Sequence, residues 1–305
     1  MNITFVGPGA IGLFYAARLT EAGSKVSLVL RSDLEAVRAK GITVRGRDSE
    51  LRIAPERVRA CATAEEAGPT DLVVVTLKNT ANDQFERLIR PLLGPATAIL
   101  TLQNGLGADE ELGGLFGTER VLGGLSFIAC NRVASGVVEC FHPGSITLGE
   151  VSGPATDRAR AIAALFEAAG IPTKAIDSVP EARWRKLVWN IPFNGLTIAA
   201  GGITTDKVLA SPELAAEVRA LMDEVATAAA ALGYSISDKF IQGQLDVTPR
   251  LGAYRPSSMI DWEAGRAVEV EAIWGEPLRR ARAAGASTPR MALLYALLTQ
   301  LCPRS

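Results

Sequence analysis

The sequence has few residues of the kinds that build metal and disulfide sites. Its 305 residues include a single histidine, His142, so a metal centre with several histidine ligands is excluded. The four cysteines have no paired spacing, which indicates neither a disulfide framework nor a zinc site, and we expect them to act as small hydrophobic residues. These are Cys61, Cys130, Cys140 and Cys302.

Excess charge and long hydrophobic runs are also lacking. The formal net charge is −1 and there is no long basic run, which argues against nucleic acid as a partner. No apolar run approaches the roughly 18–20 residues that cross a bilayer, and the chain starts directly on a strand-like run without a signal sequence. We therefore expect a cytoplasmic protein with no membrane partner.

Two catalytic arrangements are missing as well. No tyrosine is followed four residues later by a lysine, and a histidine-based hydride-transfer dyad would have to use His142. That residue lies in a Phe-His-Pro-Gly segment that is typical of a turn, so we predict a structural or exposed turn residue.

The chain is long enough for two domains, and its two halves have different patterns. The first half alternates apolar strand-like runs with helical stretches, which predicts an α/β domain with a doubly wound, mainly parallel sheet. The predicted strands are 2–6, 25–30, 71–77, 97–102 and 121–129, with a hairpin of 137–141 and 145–149 around His142. The predicted helices are 10–22, 34–40, 82–93 and 157–169.

The second half has few strand signals and long helix-periodic stretches at 181–196, 212–232, 261–284 and 289–301. We therefore predict an N-terminal nucleotide-binding domain over residues 1–175 and an all-α domain for substrate and dimerisation over residues 176–305. The apolar positions of the C-terminal helices would serve either a core or a homodimer face, and the sequence leaves this open.

A glycine-rich turn follows the first strand and opens a helix. Its sequence, Gly7-Pro8-Gly9-Ala10-Ile11-Gly12, has the spacing and the strand–helix context of a dinucleotide site. Gly7 permits a tight turn, Gly9 lets the backbone approach the pyrophosphate, and Gly12 lets helix and strand pack closely. We predict a Rossmann domain in which all six residues line the cofactor.

The residue at the end of the second strand selects between the two nicotinamide cofactors. NADH binders have an acidic residue there, whereas this chain has Arg31 followed by Ser32, which suits a 2′-phosphate and predicts NADP(H). The alternative is that Arg31 is a solvated strand-end charge and Asp33 serves the ribose.

Two further polar residues follow predicted strands at their carboxyl ends, where open α/β sheets bind ligands. Lys78 can reach a phosphate or carboxylate, and Asn104 can hold the nicotinamide ribose or carboxamide. We predict both as cofactor-binding residues.

A polar ladder stands out in the second half. Lys186, Asn190 and Asn194 are four residues apart, so they share one face of a helix whose other residues are largely apolar. Polar groups in an apolar setting cost roughly 1–3 kcal/mol each when unpaired. The ladder therefore predicts a site for a polar ligand, although Pro192 should kink or end the helix.

These motifs together resemble the ketopantoate reductase (2-dehydropantoate 2-reductase) family, within the wider group of two-domain enzymes like 6-phosphogluconate dehydrogenase. The resemblance covers essentially the whole chain. It rests on the glycine turn with Arg31, on Val75–Lys78, Gln103–Gly105, Trp184–Leu187 with the two asparagines, Ser257–Asp261, Glu263–Arg266 and Val268–Glu271.

The resemblance implies an NADPH-dependent reduction of a 2-keto acid, ketopantoate, to a 2-hydroxy acid in pantothenate (coenzyme A) biosynthesis. Lys186 would be the general acid, with Glu269 contacting it or the substrate hydroxyl. Asn190 and Asn194 would hold substrate oxygens. The register from Asp261 selects Ser257 for the substrate carboxylate, and a shift of one residue would select Ser258.

Two departures from the family pattern leave the exact substrate open: Trp274 stands where an asparagine often occurs, and Gly195 replaces a common proline. Desolvation by Trp184 and Trp189 would lower the Lys186 pKa and Glu269 would raise it, and the sequence does not decide between them. Glu271 is interpreted as a carboxylate that is either solvated or supports the site without touching the substrate.

Rival interpretations remain. Lys186 and Glu269 could form a structural ion pair between helices. The substrate could be another keto acid or an imine, as in opine-type enzymes, or the chain could bind NADPH as a non-catalytic sensor. The leading hypothesis expects hydride donor and proton donor to meet in a cleft between the domains.

Overall fold

A computed structural model describes residues 1–302, apart from the side chain of Pro143. The chain divides into two compact units. The first comprises Met1–Gln103 and Ala108–Val179, and the second comprises Asn104–Gly107 together with the chain from Pro180 onward.

The first unit contains a single sheet. Its strands, in chain order, are β1 (Asn2–Val6), β2 (Lys25–Val29), β3 (Ile42–Arg45), β4 (Glu50–Ile53), β5 (Val58–Cys61), β6 (Thr70–Val75), β7 (Leu93–Thr101), β8 (Val121–Ala134), β9 (Val137–Glu150) and β10 (Thr173–Ala175). Their order is β4-β3-β9-β8-β7-β6-β1-β2-β5, with β10 paired to β9. The pairs β3–β4 and β8–β9 are antiparallel, whereas β1, β2, β5, β6, β7 and β8 form a continuous parallel core.

Helices cover both faces of this sheet. They are α1 (Ala10–Glu21), α2 (Leu34–Lys40), α3 (Ala64–Ala67), α4 (Phe85–Ile89), α5 (Ala108–Phe116) and α6 (Asp157–Ala168). Leu72 and Val74 of β6 belong to the hydrophobic cluster that includes α1 and α6, while Val73 and Val75 belong to the cluster with α4 and α5. Alternate side chains of one strand are thus buried on opposite faces, which confirms the predicted doubly wound α/β domain.

The second unit is helical, and no strand occurs in the part of it that lies within residues 1–302. Its helices are α7 (Val179–Ala199, which starts one residue before the unit), α8 (Thr205–Ala210), α9 (Pro212–Ala231), α10 (Asp238–Val247), α11 (Ser257–Glu263), α12 (Glu276–Ala283) and α13 (Pro289–Leu301). Trp184 and Ile191 of α7 pack in one core with Met222 of α9 and Leu294 of α13. The predicted all-α domain is confirmed.

The predicted hairpin around His142 is wrong. β9 continues through this segment, and the chain reverses earlier, between β8 and β9. The register passes from Phe127–Ser145 to Ala129–His142, which puts one extra residue on β9. Gly144, with φ +61°, provides the left-handed conformation of this bulge, and a bulge is where a strand tolerates the Pro-Gly pair. His142 is exposed, but it lies in a strand and not in the predicted turn.

Two helix predictions also need correction, and the structure narrows a third. The stretch 82–93 is one short α-helix, α4, flanked by the 3-10 segments Asn79–Gln84 and Arg90–Leu92. The stretch 261–284 is interrupted after α11, where Gly265 has φ +64°, and resumes as a π-helical segment, Glu271–Gly275, before α12. Of the two outcomes predicted for Pro192, a kink or an end of the helix, the end is excluded. Helix α7 runs on to Ala199 and buries Ile191 and Phe193 on either side of the proline.

The cysteines are free thiols, buried or half-buried. Cys130 and Cys140 are register partners on β8 and β9, a proximity that their sequence spacing does not indicate. No cluster of three or more potential metal ligands occurs among the described residues. Within residues 1–302, no helix combines the length and hydropathy needed to cross a bilayer.

Candidate active site

The glycine turn between β1 and α1 is shaped by close contacts on one side and open space on the other. A Cβ on Gly7 (φ +62°) would lie 2.1 Å from Leu77 Cδ2, and one on Gly12 would lie 2.4 Å from Thr76 Oγ1. A Cβ on Gly9 would meet no heavy atom within 4 Å. Open space beside a helix N-terminus with its exposed N–H groups fits the pyrophosphate of a dinucleotide.

The other residues of this turn flank the same backbone. Pro8 is buried, and Ala10 and Ile11 are half-buried at the start of α1. Arg31, two residues beyond β2, is exposed and therefore accessible to a cofactor phosphate. Asp33, the alternative ribose ligand, is buried and its Oδ2 accepts a hydrogen bond from Arg132 Nη1 at 2.7 Å.

The loops after β6 and β7 are joined by side chains. Gln103 Nε2 donates to Asn82 Oδ1 at 2.9 Å, and Gln103 Oε1 accepts from Thr101 Oγ1 at 3.0 Å. Lys78 is half-buried at the start of the loop after β6. The bond between the two loops holds the Lys78 loop against the end of β7.

Asn104 belongs to the helical unit, and its neighbour is Lys186. The Lys186 ammonium Nζ donates to Asn104 Oδ1 at 2.8 Å. The short segment after it is held by Arg183 Nη1, which donates to Gly105 O at 3.2 Å, and by the N–H of Leu106, which donates to Ala272 O at 3.0 Å. Asn104 is therefore positioned to orient Lys186, in addition to the cofactor role predicted from the sequence.

Lys186 has an unusual electrostatic environment. Desolvation and the neighbouring Arg183 guanidinium lower its pKa from 10.5 to about 7, against the opposing effect of the Glu269 carboxylate. The sequence left the balance between desolvation and Glu269 undecided, and desolvation prevails. Lys186 is nevertheless half-buried rather than fully enclosed.

Sequence reasoning missed Arg183. This residue is buried, and it stands three positions before Lys186 on the same helix, where two like charges face each other. The i, i+3 spacing of two basic residues in an apolar helix was the available signal. Arg183 both depresses the Lys186 pKa and bonds the Asn104 segment.

The three polar residues of the ladder on α7 become more buried towards the C-terminal end of the helix. Lys186 and Asn190 are half-buried, whereas Asn194 is 2% exposed. Asn194 Oδ1 accepts a hydrogen bond from the backbone N–H of Ser258 at 3.0 Å. This bond fixes the start of α11, so Asn194 acts on the position of the neighbouring Ser257.

The remaining predicted residues lie at the start of α11 and in the segment that follows this helix. Ser257 is exposed at the first position of α11 and Ser258 is buried, so Ser257 is the more accessible hydroxyl. Glu269 is half-buried and close enough to Lys186 to affect its pKa. Glu271 is exposed and accepts hydrogen bonds from Arg279 and Tyr295.

The comparisons with known proteins agree along both units. Residues 3–153 match the model of ketopantoate reductase PanE/ApbA, and residues 178–301 match its C-terminal model. A 2-dehydropantoate 2-reductase from a Nostoc species is 37% identical over 95% of this chain and 92% of its own length. The chain belongs to the ketopantoate reductase family.

Solved structures extend this likeness. The 2-dehydropantoate 2-reductase from Geobacter metallireducens is 41% identical with a TM-score of 0.95, over 98% of this chain and 99% of that one. A dimeric ketopantoate reductase from Staphylococcus aureus, 21% identical over 99% of this chain and 98% of its own, has the same fold with a TM-score of 0.81. As a member of this family, the present chain is an oxidoreductase that acts on CH–OH groups. Reductases of the family bind a nicotinamide cofactor.

Gly195 and Trp274, which the sequence resemblance singled out as departures, are packed against each other. A Cβ on Gly195 would lie 3.0 Å from Trp274 Nε1 and 2.6 Å from Leu294 Cδ2. Trp274, in the π-helical segment, is fully buried and donates from Nε1 to the carbonyl of Ile191 at 3.0 Å. The absence of a side chain at Gly195 therefore leaves room for the indole of Trp274.

Proposed function

We propose that this chain reduces 2-dehydropantoate (ketopantoate) to pantoate with NADPH, a step of pantothenate formation. The observation that carries the proposal is the half-buried Lys186, whose pKa is lowered to about 7 and whose ammonium is bonded to Asn104. An ammonium that loses its proton near neutrality is suited to protonating a ketone oxygen. The four free thiols fit a reducing, cytoplasmic location.

Lys186 acts as the general acid. When bound, NADPH supplies the hydride that reduces the keto carbon. Negative charge develops on the carbonyl oxygen as the hydride arrives, and the Lys186 ammonium both stabilises this charge and donates the proton that completes the hydroxyl. Because Lys186 is half-buried, the resulting amine can regain a proton from solvent.

Other side chains orient the reacting groups. Asn104 Oδ1 holds one N–H of the ammonium, which fixes the direction of the remaining protons. We assign the substrate oxygens to Asn190 and the substrate carboxylate to Ser257, whose position depends on the Asn194–Ser258 bond. Glu269 supports Lys186 electrostatically.

The cofactor preference is part of the proposal. The open face at Gly9 fits the pyrophosphate, and the exposed Arg31 suits a 2′-phosphate, with Lys78 as a further basic group beside the sheet. NADPH is therefore the proposed donor, with NADH as the weaker alternative.

The test is the oxidation of NADPH with ketopantoate, followed by absorbance, with NADH in parallel. Turnover with NADPH well above that with NADH supports the proposal. Absence of turnover with ketopantoate, in a protein that binds NADPH, contradicts the proposed substrate. A panel of other 2-keto acids, with and without amines, then identifies the true substrate class.

The second candidate is a family member that reduces a different 2-keto acid or an imine. The packing of Trp274 against Gly195 favours it, because the indole bonds the carbonyl of Ile191, the residue after Asn190, to which the substrate oxygens are assigned. A non-catalytic NADPH sensor is disfavoured, since a sensor has no need of the depressed Lys186 pKa.

A homodimer is also proposed. On α13, Leu293, Leu297 and Leu301 are exposed at intervals of four residues and form an apolar stripe, and a second copy of the chain would cover it. Sedimentation should give a dimer for the wild type and a monomer for Leu297→Lys. A wild type that sediments as a monomer contradicts the proposal.

A further inference from the structure

Two segments that are distant in sequence meet beyond the carboxyl end of β2. Arg31, Ser32 and Asp33 follow this strand, and Arg132 reaches them from near the end of β8. Arg132 Nη1 donates to Asp33 Oδ2 at 2.7 Å and to Ser32 Oγ at 3.2 Å. Arg132 thus brings a second guanidinium to this strand end. Because it is about 100 residues away in the chain, a sequence motif centred on the strand end does not include it.

The pair is asymmetric in its exposure. The Asp33 side chain is 2% exposed, whereas the Arg132 side chain is 43% exposed. The carboxylate therefore anchors a guanidinium that remains open to solvent. Within residues 1–302, the hydrogen bonds of Arg132 use Nη1, and its Nε and Nη2 have no protein acceptor.

Asp33 has an incomplete set of hydrogen bonds. Its Oδ1 is buried and has no hydrogen-bond partner, and its side chain does not cap α2. An unpaired buried acceptor costs roughly 1–3 kcal/mol, so the arrangement fits a place that a ligand completes. A ribose hydroxyl is a donor of the right kind, because this is the strand end at which a dinucleotide ribose binds.

We propose that Arg132 is a specificity-determining residue for the cofactor 2′-phosphate, held in place by Asp33. This inference rests on the NADPH preference of the proposed function. Arg132 neutralises the Asp33 carboxylate, which would otherwise repel the phosphate, and presents Nη2 to the phosphate oxygens beside Arg31 and the Ser32 hydroxyl. Asp33 is a positioning residue that leaves its second oxygen for a ribose hydroxyl.

The test measures cofactor binding rather than turnover. NADPH and NADH are titrated separately by calorimetry into the wild type, Arg132→Ala, Arg31→Ala and Asp33→Asn. Arg132→Ala should bind NADPH about 10- to 100-fold more weakly, the effect of losing one charge-assisted contact. Its NADH affinity should be unchanged or higher, because the freed Asp33 carboxylate can accept the 2′-hydroxyl.

Further variants separate the proposed role from a general charge effect. Arg160→Ala is the matched control, since Arg160 is an exposed arginine of the same unit that pairs with Asp157, and its affinity for both cofactors should equal that of the wild type. Arg132→Lys should recover only part of the NADPH affinity, because an ammonium cannot bridge Asp33 and the phosphate as a planar fork does. Asp33→Asn should weaken NADPH binding less than Arg132→Ala does.

The outcomes distinguish this inference from the proposed function. If Arg31→Ala loses NADPH affinity and Arg132→Ala does not, the inference is overturned and the NADPH preference stands. If NADH affinity falls together with NADPH affinity in Arg132→Ala, the residue is structural and the inference is likewise overturned. A wild type that binds NADPH and NADH equally contradicts the cofactor preference itself.

Discussion

The two units of this chain build their candidate sites by different means. In the sheet unit, the dinucleotide turn depends on side chains that are absent: Gly7 and Gly12 are in close contact with the chain after β6, and Gly9 leaves an open face. In the helical unit, the site depends on side chains that are present, in particular Lys186 and the asparagine bonded to it. Adding atoms should therefore damage the first site and removing atoms should damage the second.

The largest effect on activity is expected when the Lys186 ammonium is removed from the helical unit. Lys186→Met keeps the length of the side chain but loses the proton and the charge. The reductase kcat should fall by about 10²–10⁴-fold, the contribution typical of a positioned acid. NADPH affinity, measured by titration, should stay within error. An unchanged kcat would remove Lys186 from the mechanism.

The next largest effect, on cofactor affinity, is expected when a side chain is added to the glycine turn of the sheet unit. Gly9→Ser introduces a side chain into space where the protein has no atom within 4 Å, and serine is a favourable N-cap residue. Stability to urea should therefore be unchanged or higher, while NADPH affinity should fall by about tenfold or more because the phosphate space is filled. Gly114→Ser, at another open position of this unit, is the control and should leave binding unchanged.

Gly195 is an exception to this contrast between the units. It lies in the helical unit, yet adding a side chain there should be harmful. Gly195→Ala would push against Trp274 and Leu294, and overpacking costs about 1–3 kcal/mol. Gly243→Ala in α10, where a Cβ meets no atom within 4 Å, should instead stabilise by about 0.5–1 kcal/mol. Urea denaturation of both variants measures the difference, and equal stabilities would show that the indole can shift without cost.

The smallest effect is a displacement of the pH profile. Reduction requires protonated Lys186, so kcat should decline as the pH rises through about 7. Glu269→Gln removes a charge that raises this pKa, and the decline should begin at lower pH. Asn104→Asp puts a carboxylate beside the ammonium and should move the decline to higher pH. Identical profiles for the two variants would contradict Lys186 as the titrating acid.

The sequence was most informative where one local pattern determines structure. The strand–glycine–helix turn and the buried strands follow from short-range rules, and β1, α2 and α13 have the predicted bounds. The prediction of a hairpin around His142 was wrong because a proline–glycine pair occurs in bulges as well as in turns. Which of the two forms depends on the strand that pairs with the segment. Similarly, α7 continues past Pro192 because tertiary packing outweighs the local penalty.

The sequence predicts which residues could form the candidate site, but it does not predict the hydrogen bonds that join them. Lys186, Asn190 and Asn194 could be found from their spacing, and Arg183 from its position three residues before the lysine. The bond between Lys186 and Asn104, the bond from Ser258 to Asn194, and the pairing of Arg132 with Asp33 join residues 64 to 99 positions apart. No periodicity reports such contacts, because they depend on how distant elements pack.

The four residues Asn104–Gly107 limit how the two units of this protein can be exchanged with those of a relative. They lie within the first 179 residues of the chain but belong to the helical unit, where Lys186, Arg183 and Ala272 bond them. The chain therefore changes unit three times, and the two units are not separable by one cut in the gene. A chimera that takes residues 1–179 from a relative would import a foreign partner for Lys186. Functional domain exchange in this family should require the 104–107 segment to be inherited together with the helices rather than with the sheet.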